Sequence, residues 1–173
     1  MKEKLTEIFD LEAEGKYNEA YNGYQKLTLK KPDDFQIWKF YYFFLWSMLE
    51  DVNQQFNKKI DLNKELKKQL QIGVKKFSSL SEFNFIVGYT ISIFPYEFGD
   101  YKEIEKKSKK MLKIATESNP DNLIYKMVFL GSQTDNVNDK EYVEIGKKAQ
   151  ESINTEYRGN GLLNEYFKQV LKR

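Results

Sequence analysis

Apolar residues recur at the spacing of a helix along almost the whole of this 173-residue chain, and nowhere at the spacing of a strand. Tyr17, Ala20, Tyr21, Tyr24 and Leu27 share one helical face. So do Leu62, Leu66, Leu70, Val74 and Phe77, and again Leu162, Leu163, Tyr166, Phe167, Val170 and Leu171. No stretch alternates with period two for long enough to make a strand. The three prolines punctuate the pattern: Pro32 precedes Asp33 and Asp34, Pro95 precedes the turn at Gly99 and Asp100, and Pro120 follows Asn119. Asn119 reads as an N-cap with proline at the first helical position. The pattern predicts an all-α chain of about nine helices, over residues 2–13, 17–30, 34–56, 62–78, 82–94, 100–118, 121–134, 139–154 and 161–172. Short connections make neighbours antiparallel pairs. Length favours one domain over residues 1–173.

The run from Phe35 to Leu49 is the most apolar part of the chain, but it spans 15 residues and contains Lys39. A membrane helix needs about 20, so the run is predicted to be a central soluble helix and no membrane span is expected. Gln36, Lys39, Phe43, Ser47 and Glu50 follow one line along it at steps of three and four. That line is the stripe left open if the helix is buried on its other sides.

Two segments repeat. Gly15-Lys16-Tyr17-Asn18-Glu19 is echoed by Gly99-Asp100-Tyr101-Lys102-Glu103, and Pro32-Asp33-Asp34 by Pro120-Asp121-Asn122. Glycine opens a tight turn between helices, a small residue such as Ala20 admits close approach, and proline ends the second helix. With Tyr17, Ala20, Tyr24, the closing Pro32 and then Trp38, this resembles the tetratricopeptide repeat, a helix-turn-helix unit of about 34 residues. Leu27, Ile8, Tyr42 and Ile104 depart from the small residues usual in such repeats. The resemblance implies a right-handed array of helix pairs with a C-terminal capping helix, whose first helices line a concave partner-binding surface. On that reading Gln36, Lys39, Phe43, Trp46 and Ser47 face the groove, extended by Lys2, Phe9 and Glu12. Phe43 and Trp46 also read as plain core.

Composition narrows the chemistry. There is no cysteine and no histidine, which removes thiolate and imidazole metal sites, disulfides, and the side chain that titrates nearest neutrality. No phosphate-binding glycine loop and no well-placed carboxylate pair occurs. No catalytic residue, cofactor or metal is therefore expected, and the chain is read as a non-enzyme. The net charge is only +2, and Arg158 and Arg173 are the two arginines. A nucleic-acid binder would want a larger basic excess and more bidentate forks, so none is expected. The charge is nonetheless segregated: residues 58–76 carry seven lysines against Asp61 and Glu65, and residues 106–110 read Lys-Lys-Ser-Lys-Lys. Such a run is either a solvated helix face or a dock for an acidic protein surface. The charged start, Met1-Lys2-Glu3-Lys4, has no apolar run behind it, which points to the cytoplasm.

The final segment is a glycine-flanked turn, Gly159-Asn160-Gly161, followed by an amphipathic helix containing Glu165-Tyr166-Phe167-Lys168. It is similar to the tail of small helical immunity proteins paired with bacterial polymorphic or contact-dependent toxins. That resemblance implies a non-catalytic protein that neutralises a cognate toxin by steric complex formation. The alternative is a tetratricopeptide-like adaptor that holds a short peptide in the concave groove. In either case the expected partner is another protein, and the oligomeric state is left open.

Overall fold

Gly15 adopts φ +70°, a left-handed conformation that L side chains rarely take, and turns the chain between two helices. The computed structural model describes residues 2–50, 56, 60–133 and 139–172. Among these residues there are nine α-helices and no strand. They are α1 (Lys2–Ala13), α2 (Tyr17–Lys30), α3 (Phe35–Ser47), α4 (Leu62–Phe77), α5 (Ser81–Ile93), α6 (Tyr101–Ser118), α7 (Leu123–Gly131), α8 (Asp139–Glu156) and α9 (Leu162–Val170). Short 3-10 turns occupy Met48–Glu50 and Pro95–Glu97.

The repeated sequence segments have repeated local structures. Gly99, like Gly15, has positive φ, at +153°. Beyond it Asp100 caps α6 by accepting the Lys102 and Glu103 N–H groups at 3.0 and 3.2 Å. Asp34 caps α3 in the same way, with Gln36 and Ile37 as donors at 3.0 and 3.2 Å. Asn122 caps α7 through the Tyr125 N–H at 3.0 Å. The expected cap Asn119 instead closes the end of α6, its N–H donating to the Ala115 carbonyl. The turn after Pro120 thus delays α7 to Leu123.

Contacts divide the chain into two compact units, residues 1–76 with 157–171, and residues 77–156. In the first unit α1 pairs with α2, α2 with α3, and α9 packs on α3 and α1. Helices α1 and α2 approach closely because Gly23 has no Cβ; one would lie 2.9 Å from Ile8 Cγ1. The bulky Ile8 is thus accommodated by a missing side chain on its neighbour. The core is aromatic: Tyr24, Tyr41, Tyr42, Phe43, Phe44, Trp46 and Phe56 are all buried. Tyr24 stacks on Tyr41 at 5.5 Å, and Phe44 meets Phe56 edge-on at 5.6 Å. Each such side chain contributes roughly 1.5–3 kcal/mol on burial. In the second unit α5 and α6 make the most extensive pair, and α6–α7 and α7–α8 follow. Ser108 on α6 donates to the Gly88 carbonyl on α5 at 2.8 Å, and Phe85 stacks on Tyr125 at 4.4 Å.

Two expectations about the elements are corrected. The third helix, expected to run unbroken to residue 56, ends at Ser47 and tightens into the turn at Met48–Glu50; Phe56 is again helical, while residues 51–55 lie outside the described residues, as do Lys58, Lys59 and Thr134. Ser47 Oγ donates back to the Phe43 carbonyl at 2.9 Å, the local bond by which serine competes with helix continuation. In α4 the buried line runs through Leu62, Leu66, Gln69, Gly73 and Phe77, whereas Val74 is exposed. Among the described residues no helix is long and apolar enough to cross a membrane.

Candidate partner-binding surface

Phe9 on α1 meets Phe40 on α3, but another helix of the chain covers both elements where the groove reading would leave them open. Helix α9 packs against both. Phe43 and Trp46 are 0% exposed. The Tyr166 ring stands 5.5 Å from Phe43 and 5.3 Å from Trp46, and Phe167 lies 5.6 Å from Phe43. The expected open stripe is therefore corrected: Phe43 and Trp46 are core, because the apolar face of α9 finds its cover on them.

The other stripe residues divide. Lys39 is buried along its stem, with its ammonium 4.7 Å from the Phe40 ring centre and 5.9 Å from that of Phe35. Gln36 is exposed and Ser47 half-buried. Phe9 is half-buried, edge-on to Phe40 at 4.7 Å. Gly161 comes so close to Phe9 that a Cβ there would lie 2.7 Å from its Cδ1. Lys2 begins α1, and its side chain lies outside the described residues.

Glu12, expected to extend the groove along α1, is buried at the joint between α1, α2 and α9. The Tyr24 hydroxyl donates to its Oε1 at 2.7 Å, and the Leu162 N–H donates to its Oε2 at 2.8 Å. The second bond puts a carboxylate at the start of α9, where Gly161 offers no side-chain cap. Asn160 adds a bond to Asp10 Oδ1 at 2.8 Å. Burial pushes the Glu12 carboxyl up from 4.5 to about 7, outweighing the two donated bonds, which pull it down. Burial, then the Glu12 charge, also holds the Tyr24 phenol well above its usual range.

The solvent-facing chemistry lies elsewhere. On α4 the side chains of Lys64, Lys67, Lys68 and Lys75 are exposed, and on α6 those of Lys102, Lys106, Lys107 and Lys110 are exposed. Several other helix lysines are paired: Lys109 with Glu105 at 2.9 Å, Lys148 with Glu144 at 2.7 Å, and Lys126 with Glu141 at 2.8 Å. Tyr96 is 79% exposed and sits 5.5 Å from the Tyr101 ring. Among the described residues no group of three or more acidic, histidine or cysteine side chains is placed to hold a metal ion.

Sequence reasoning missed Asn160 and the Leu162 N–H as partners of α1, because their contacts span 150 positions along the chain. It also missed Thr28 and Gln69, two polar side chains with buried atoms on α2 and α4. A glutamine on the apolar line of α4 is the signal that would have found the second. Comparisons of the chain with family models, with curated proteins and with solved structures found no match.

Proposed function

We propose that this chain is a non-catalytic protein-binding domain, and in its most specific form an immunity protein that neutralises a bacterial toxin in the cytoplasm by steric complex formation. The observation that carries the reading is the placement of its polar chemistry. Glu12, whose carboxyl is pushed up to about 7, spends both oxygens on Tyr24 and Leu162 inside the fold, whereas lysines line long solvent-facing helix surfaces. Surfaces of that kind suit recognition of a large partner and steer its approach. The open groove between α1 and α2, about 420 Å³ and bounded by Lys4, Glu7, Lys26 and Lys30, is a further shallow surface of this kind. Because α9 fills the α1–α3 face, binding proceeds through the outer helix surfaces, and a peptide adaptor working through that face would first have to displace α9.

The test is capture of the tagged full-length chain from a lysate of its source organism, followed by mass spectrometry. One stoichiometric partner with a toxin domain, whose toxicity is suppressed by co-expression of this chain, is the expected result. Retention of several weak partners that share only a short linear segment would replace the immunity reading with the adaptor. Failure to protect against any stoichiometric partner would discard toxin neutralisation.

A further inference from the structure

Gln69 is 3% exposed and only partly satisfied. Its Nε2 donates to Glu65 Oε1 at 3.0 Å and its main-chain carbonyl accepts the Trp38 indole N–H at 2.9 Å, but its buried Oε1 has no partner among the described residues. The bond to Glu65 fixes the amide, since a flip would turn the oxygen towards a carboxylate. Across from it on α2, the buried Thr28 Oγ1 also has no partner among the described residues. Both residues line a single crevice of about 190 Å³, together with Leu29, Tyr41, Glu65 and Lys68. Leu29, at its edge, is 84% exposed. Buried polar atoms without partners are rare and destabilising, so two in one crevice call for an explanation.

A second observation adjoins the first. Lys64, Lys67, Lys68 and Lys75 fall within one narrow face of α4, over roughly 16 Å of helix. Lys68 pairs with Glu65 at 3.5 Å, whereas Lys64, Lys67 and Lys75 have no acidic partner among the described residues. Helix stability explains Lys75, near the negative C-terminal end of the dipole. It does not explain Lys64, in the first turn, or the like charges at steps of three and four.

We propose that the α2–α4 seam docks an acidic segment of a partner protein, whose carboxylates meet Lys64, Lys67 and Lys75 while an amide of the segment enters the crevice, donating to Gln69 Oε1 and bonding Thr28 Oγ1. Phosphate polymers fit less well, because Glu65 lines the crevice and no arginine lies on either helix. A membrane surface fits less well too, because Leu62, Leu66 and Phe77, the apolar side of α4, are buried in the fold. The proposal rests on the protein-binding reading and names its surface.

The experiment is an amide NMR titration of the full-length chain with a capped pentapeptide of four glutamates around a central asparagine, beside a thymidine oligonucleotide of matched charge. The peptide should shift Thr28, Lys64, Lys67 and Gln69 selectively. Triple replacement Lys64→Gln, Lys67→Gln and Lys75→Gln should weaken it roughly ten-fold and flatten its salt dependence. Thr28→Val should weaken the peptide while raising the urea midpoint, because the lost hydroxyl has no bond among the described residues. Equal shifts on the lysines of α6, tighter binding of the oligonucleotide, or a lowered urea midpoint for Thr28→Val would each overturn the proposal. A partner captured from lysate that ignores the triple variant would remove this surface and leave the protein-binding reading standing. Selective peptide binding with no captured partner would do the reverse.

Discussion

Replacing Glu12 by glutamine should remove most of the pH dependence of stability between pH 5 and pH 8. The carboxyl is held at about 7 in the folded chain against 4.5 for an exposed glutamate. A folded value raised above the unfolded one means that the native state binds the extra proton. The associated stability is fully present below about pH 4.5 and is lost as pH rises through 7. Integrating between pH 5 and 8 gives a loss of about 2.5 kcal/mol for the wild-type chain. Glutamine keeps the shape, has no charge to bury, and forfeits one of the two bonds from Tyr24 and Leu162. That forfeit lowers stability by about 1 kcal/mol at every pH and leaves the slope untouched. The background is unusually quiet, because the chain has no histidine to titrate in this window. Urea unfolding of both proteins at pH 5 and pH 8 gives the double difference directly. Equal slopes for the two proteins would refute the reasoning. They would mean that the donated bonds and the positive end of α9 keep Glu12 ionised throughout, with burial the lesser effect.

Three further outcomes are expected. Gly161→Ala would push a methyl to 2.7 Å from Phe9 Cδ1 and should destabilise the fold by about 1–3 kcal/mol in chemical denaturation; an unchanged midpoint would mean that α9 shifts freely on α1. Asp34→Ala deletes the acceptor for two N–H groups at the start of α3 and should lower stability by about 1 kcal/mol by the same assay, with Asn restoring most of it. Gly15→Ala meets no atom within 4 Å, so its expected loss of about 1 kcal/mol is backbone strain at φ +70° alone, and Gly15→Asn should recover part of it in a thermal melt.

Local chemistry made the helices legible and distance made the site illegible. The ends of α1 and α2 follow from Gly15 and the run of apolar positions, and they fall at residues 13, 17 and 30 as read from the sequence. The end of α3 was overrun because the apolar run continues through Met48 and Leu49 past the last α-turn, and nothing in its hydropathy marks where Ser47 turns back on Phe43. The start of α7 was misplaced because asparagine before proline imitates a cap, whereas the capping oxygen belongs to Asn122. The groove reading failed for a different reason. The pattern of Leu163, Phe167 and Leu171 says that α9 must bury a face, but periodicity does not say against which helix. The answer, Phe43 and Trp46, removed both from the solvent. The lysine faces were plain in the sequence; the crevice beside one of them depends on how α2 and α4 meet.

The return of α9 to the first unit also sets a timetable. A ribosome adding about 5–20 residues per second reaches Phe167 roughly 6–25 s after Trp46. Until then the nascent chain has no Tyr166 or Phe167 to lay over that indole, and the Glu12 carboxylate awaits the Leu162 N–H. Residues 77–156, by contrast, are complete as a unit before α9 is made. The unit begun earlier along these residues is thus the later to close, with Phe43 and Trp46 left without their cover until α9 is made, so that loss of α9 is more damaging than its distance along the chain suggests.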